Sequence, residues 1–231
     1  MQFTDRELER MARSRARNIL GELERSSDTS GGSIAAKVRA YIACARSTPK
    51  SMTHLKRMVE KIPTCKSVSV DCEGNTPGVG ATFMMRMKAG RLGFDDDGVL
   101  STMVCGYKDT HTGSVARVFL TEHFVVRLVH RGFNVAEMDM DGLVTTTNAL
   151  LNTAFSLNRM NDAPRNVPVL LRKIATGDFF TAQMEHHTSD LGSIWVAKTI
   201  YQTDDKDLGW MKEVDNATKS RNLQELERLL R

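Results

Sequence analysis

Proline is scarce in this 231-residue chain, five in all, and no segment repeats or is low in complexity, which excludes fibrous, proline-rich and repeat architectures. Long apolar runs are also missing, so no segment is expected to span a bilayer. The N-terminal stretch MQFTDRELERMARSRARNIL has no hydrophobic core behind its charges, so a secretory signal is not expected and a cytoplasmic location is. Only four cysteines occur, Cys44, Cys65, Cys72 and Cys105. None forms a CxxC pair, and the Cys65/Cys72 spacing has no second pair of ligands, so buried reduced thiols are expected rather than zinc. Gly74, Gly78 and Gly80 crowd one turn. They lack a following GK[ST] and do not lead from a strand into a helix, which leaves nucleotide hydrolysis without support.

What is present is an ordinary globular composition, 41% hydrophobic and 26% charged, in a chain long enough to bury a core. The formal charge of +4 is small, but its distribution is uneven. Between Lys37 and Lys66, eight positive residues (Lys37, Arg39, Arg46, Lys50, Lys56, Arg57, Lys61 and Lys66) face Glu60 alone, a local net of +7. Such a field gives sequence-independent affinity for a phosphate backbone, although Tyr41 is the only Phe, Tyr or Trp there to stack on a base. A solvated helical face explains the same charges.

Spacing gives the expected elements. Thr4 to Arg25 reads as a helix, capped by Thr4 with Glu7 three residues on and carrying Leu8, Met11, Ile19 and Leu23 at helical intervals. The turn formers from Ser26 to Ser33 predict a linker or exposed loop. Helices over Ile34 to Ser47 and Met52 to Lys61 follow, separated at Thr48-Pro49. Strands are expected at Cys65 to Cys72, Ala81 to Lys88, Val99 to Tyr107 and Val115 to Phe119, forming an antiparallel meander with turns at Gly74 to Gly78 and Lys108 to Gly113. Thr121 should cap a helix from Glu122 to about His130 that Gly132 stops. A helix over Asp141 to Leu157, strands over Val167 to Ile174, Phe179 to His186 and Ile194 to Gln202, and a terminal helix over Asn222 to Arg231 complete the reading. The fold class is therefore α+β, with N-terminal helices followed by a mainly antiparallel sheet packed with helices. Residues 1–66 form a basic helical region and 67–231 an α+β domain, or the two make one continuous domain.

The candidate chemistry centres on His123, Arg127 and Arg131. Their i, i+4, i+8 spacing puts them on one helical stripe. An imidazole moves a proton near neutral pH and a guanidinium grips phosphate through paired hydrogen bonds, a combination suited to phosphodiester cleavage without metal. The same stripe is equally explained as a solvated face with its arginines paired to acids such as Glu122 or Asp139. His186 and His187 end a strand at a turn and must point to opposite faces, so one at most, expected as His187, could join a site with His123. The Asp95 to Asp97 cluster reads as a solvated turn, and the thirteen methionines as core filler.

The segment LTEHFVVRLVHRGF resembles the helix of small toxin-type endoribonucleases, the barnase-like and RelE-like group, and GSIWVAKTIYQ resembles their last strand. The resemblance implies His123 as acid or base, Arg127 and Arg131 as phosphate holders, and Lys198 with Thr199 near the scissile group. It implies a metal-independent endoribonuclease acting on RNA, with no cofactor. The alternative is a non-enzymatic nucleic-acid-binding or assembly protein, of the kind a phage or mobile element encodes, that uses Lys37, Arg39, Arg46, Lys50, Lys56, Arg57 and Lys61. RNA or another nucleic acid is the expected partner in both readings. A protein partner or inhibitor and self-association are left open, and no membrane is involved.

Overall fold

The computed structural model describes residues 3–26, 52–73, 76–88, 100–109, 114–132, 138–160, 162–172, 177–189 and 192–230. The expected helix at Ile34 to Ser47, the linker after Ser26, the Asp95 to Asp97 cluster, and Lys37, Arg39, Arg46 and Lys50 lie outside them. Among the described residues seven strands make one sheet: β1 (Cys65–Glu73), β2 (Thr76–Lys88), β3 (Leu100–Asp109), β4 (Ser114–Leu120), β5 (Asn166–Arg172), β6 (Phe179–Ser189) and β7 (Gly192–Gln202). Their spatial order is β1-β2-β3-β4-β7-β6-β5. Two antiparallel meanders, β1 to β4 and β5 to β7, meet at the parallel pair β4·β7, where Val118 faces Trp195 and Leu120 faces Ala197. A parallel neighbour needs a crossover, and the helices between β4 and β5 supply it. The architecture is α+β.

The first helix, α1 (Asp5–Ser26), begins with the expected capping box. The Thr4 backbone N–H donates to Glu7 Oε2 at 2.8 Å, and the Glu7 N–H donates back to Thr4 Oγ1 at 3.4 Å. Its buried stripe keeps Ile19 and Leu23 of the expected one and differs elsewhere. Ala12, Ala16, Ile19, Leu20 and Leu23 face inward while Met11 is exposed, because two alanines let the helix approach its neighbours more closely than the larger side chain would allow. The helix α2 (Met52–Glu60) packs on β1 and β2. Thr76, Pro77 and Gly78, expected in a turn, already belong to β2, which runs beside β1 from Thr76 onward. Gly80 leaves room there for Ser69 on the neighbouring strand: a Cβ would stand 2.5 Å from Ser69 Oγ, and the hydroxyl would have to turn away.

After β4 the chain enters α3 (Glu122–Arg127), with the Thr121 hydroxyl accepting from the Phe124 N–H at 3.0 Å. Removing that cap with Thr121→Ala should lower stability by about 0.5–2 kcal/mol, read as a shift of the urea midpoint at unchanged slope. The α-helix does not continue to His130 as its spacing suggested. Leu128–Gly132 is a π turn, whose wider winding takes Arg131 off the stripe shared by His123 and Arg127. Helix α4 (Met140–Leu157) follows, capped by Asp139 through the Gly142 N–H.

Helix α5 (Asp205–Ser220) was not expected from the sequence, and α6 (Leu223–Leu230) ends the description. Met211, Val214, Ala217 and Thr218 form the buried side of α5 at helical spacing, a signal diluted by Gly209 and by charges on every other face. The main core lies between one face of the sheet and α1, α3, α4 and α5. Ala116, Val118 and Leu120 of β4, Val167, Val169 and Leu171 of β5, and Trp195 and Ala197 of β7 supply its sheet side. Pro168 sits on β5, an edge strand, where its missing N–H breaks no ladder. Among the described residues no helix is long and apolar enough to cross a membrane.

Candidate active site on the second face of the sheet

Alternation along β6 sorts its side chains between two environments. Ala182 and Met184 join the helical core, and His186 shares their face. Its ring lies 4.7 Å from that of Trp195, and its Nε2 is 2.9 Å from Ser193 Oγ. Burial holds His186 below the ordinary imidazole range, and the charge of His187 pushes in the same direction. A depressed histidine pKa means that the unfolded chain binds the proton more readily, so stability is complete above about pH 6.5 and falls as pH drops through it. His186→Phe should flatten that fall. Urea midpoints taken at neutral and mildly acidic pH test this, and parallel slopes for the two proteins would refute it.

Gln183, Glu185 and His187 point to the other face. There Glu185 gathers three cationic groups. Its Oε2 lies 3.2 Å from Lys198 Nζ and 3.6 Å from His187 Nε2, and its Oε1 is 3.3 Å from an Arg165 guanidinium nitrogen. The Glu185 side chain is 18% exposed and His187 25%, against 41% for Lys198 and 78% for Arg165. The centre is thus sheltered while its cationic rim opens to water. Burial alone would raise the Glu185 carboxyl. The hydrogen bond and charge of Lys198, with His187 and Arg165, outweigh burial and hold it below the usual carboxylate range.

A β-bulge delivers the lysine. Gln183 pairs with Thr199 but Met184 pairs with Ala197, so Lys198 is an extra residue that interrupts the ladder. Bulges re-aim a side chain while bending the strand locally, and they are common beside active sites. Beneath the cluster, Val196 and Ile194 of β7 and Phe119 of β4 are fully buried, which gives the charges a rigid floor.

Of the six residues singled out for catalysis, His187, Lys198 and Thr199 come together here. His123, Arg127 and Arg131 do not join them. Helix α3 turns Phe124 and Val125 into the core against β7, so the sheet stands between that helix and the Glu185 cluster. His123 and Arg131 are exposed on it. Arg127 sits in the field of Glu9 on α1, whose carboxyl is lowered first by the hydrogen bond from Arg13 and more weakly by Arg127 and His130. His130 Nε2 in turn lies 3.2 Å from Asp5. Arg127 is thus half-buried, while His123 and Arg131 on either side of it face water.

Glu185 and Arg165 were missed in the sequence. The signal for Glu185 was its i, i+2 relation to His187 on an evident strand; that for Arg165 was absent, because its reach depends on how β5 docks beside β6. Elsewhere, Arg57 and Lys61 are exposed at the end of α2 and Lys56 lies 3.7 Å from Glu60. Cys65 is unpaired, and its thiol is pushed up to about 11 by burial, with Glu60 adding to the effect, so it is no nucleophile. Among the described residues no three His, Cys, Asp or Glu side chains gather as a metal site. No family model, curated protein or solved structure matches the chain.

Proposed function

We propose that this chain is a metal-independent endoribonuclease whose centre is Glu185, His187, Lys198 and Arg165. The observation that carries the reading is the sheltered carboxylate in contact with a titratable imidazole and two permanent cations, on a strand interrupted by a bulge. Between them these groups supply each requirement of RNA transesterification. Glu185, held ionised, takes the proton from the ribose 2′-hydroxyl as its oxygen attacks phosphorus. Lys198 and Arg165 neutralise the charge that accumulates on the phosphoryl oxygens. Protonated His187 gives its proton to the departing 5′-oxygen as the P–O bond breaks. The products are a 2′,3′-cyclic phosphate and a 5′-hydroxyl, and transfer of the proton from Glu185 to His187 restores the starting state. Thr199, beside the bulge, offers a hydroxyl to the same phosphate. The likeness of GSIWVAKTIYQ to the last strand of toxin-type endoribonucleases supports the assignment of Lys198 and Thr199.

The purified chain should cleave an RNA oligonucleotide in EDTA and leave the DNA of the same sequence intact, since DNA lacks the attacking hydroxyl. Mass spectrometry of the fragments checks the cyclic phosphate. Intact RNA, or cleavage that only added metal permits, would overturn the proposal.

A second reading has its own observation in α2, where Arg57 and Lys61 are exposed. If the chain binds nucleic acid without cleaving it, affinity should fall linearly with salt on a logarithmic scale and weaken in Arg57→Ala and Lys61→Ala.

A further inference from the structure

A cavity of about 340 Å³ opens between α4, α5 and the β5–β6 edge, on the other side of the sheet from Glu185 and independent of the function proposed above. This volume is at the small end of the range for ligand sites, about 300–1,000 Å³. Its inner wall is apolar, built from Leu128, Ala149, Leu171, Phe180 and Ile200. Thr146 lines it as well, but its hydroxyl is already engaged with the Gly142 carbonyl at 3.0 Å, so the interior has little to offer a polar body.

The mouth is different. Arg172, Lys212 and Lys219 stand there against one carboxylate, Asp215, which is ion-paired with Lys219. Arg172 and Lys212 remain, and among the described residues neither forms an ion pair. Both instead rest over the Phe179 ring, Lys212 at 5.0 Å and Arg172 at 5.9 Å from its centroid. The ring thus holds two cations at the rim of an apolar chamber, neither of them neutralised by a carboxylate among the described residues.

We propose that this cavity binds a small amphipathic carboxylate, with its apolar tail against Leu128, Ala149 and Ile200 and its head at the rim, within the field of Lys212 and Arg172. Cations at the rim of an apolar chamber select the joint presence of charge and tail. A free phosphate or nucleotide would leave the chamber empty or bury polar groups without partners. An uncharged alcohol of the same length would leave the cations unanswered.

Titration calorimetry of the full chain with decanoate, and with decanol as the uncharged comparison, tests this. Decanoate should bind saturably at one site, and decanol roughly tenfold or more weakly, the loss expected for one charge-assisted hydrogen bond. Lys212→Glu should weaken decanoate by a similar factor. Thr145→Trp, at an exposed position on the rim, should block both ligands, and circular dichroism checks that each variant is folded. Absence of saturable decanoate binding, equal affinity for decanol, or wild-type affinity in both variants would each overturn the proposal.

Discussion

Glu185→Gln should reduce kcat for RNA cleavage by about 10²–10⁴-fold, the span over which a positioned general base contributes. The substitution keeps the shape of the side chain and an oxygen that can still accept from Lys198, but it removes the ability to take a proton. It also removes a negative charge from the place where substrate phosphate must sit, so KM should hold or fall. A merely structural role predicts the reverse: kcat largely retained, with KM raised as the cluster loosens. Lys198→Ala is the informative companion, because loss of a phosphate-holding cation should raise KM and lower kcat together.

The pH dependence gives a second readout of the same assignment. Because Lys198, His187 and Arg165 hold Glu185 below the usual carboxylate range, the acid limb of kcat/KM should lie below about pH 4.5. The stability that these contacts confer is present above the unfolded value and is lost as pH falls through the folded one. Lys198→Ala removes the largest of the lowering influences and should move the acid limb upward. An unchanged acid limb in that variant would detach Glu185 from the proton transfer.

The sequence made the strands legible and hid the centre they build. Alternation at Cys65 to Cys72, with turn formers at Gly74 to Gly78 and Lys108 to Gly113, was enough to expect the first antiparallel meander, because period-two patterning follows directly from a sheet with two different faces. The opposite orientation of His186 and His187 followed from the same rule. The bulge at Lys198 could not be read, since the unbroken apolar run from Ile194 to Ala197 shows no alternation for it to interrupt and its position depends on the partner strand. The stripe of His123, Arg127 and Arg131 misled for a related reason. The i, i+4, i+8 rule holds only for an unbroken α-helix, and the π turn from Leu128 to Gly132 arises where α1 packs on the segment, with His130 against Asp5. Helix α5 was lost because a sparse apolar face between charges resembles a polar loop until the surface it covers is known.

Trp195→Ala should be the most destabilising single substitution proposed here, lowering the unfolding free energy by about 3–5 kcal/mol, a large part of the 5–15 kcal/mol expected of a whole domain. Trp195 is fully buried on β7, in register with Val118 across the one parallel pair that joins the two meanders. Its removal opens a void at the seam. Its indole N–H donates to Asn158 Oδ1 at 2.9 Å, fixing the end of α4, and its ring supports His186. Trp195→Phe separates these roles, because it keeps most of the apolar contact and loses the hydrogen bond, at about 1 kcal/mol. Trp210 makes the contrast within the same chain. It is 38% exposed and its indole donates to the Leu229 carbonyl, so Trp210→Ala should cost far less and act locally, by loosening α6. Equal denaturation midpoints for Trp195→Ala and Trp210→Ala would mean that the two meanders are not held together at Trp195.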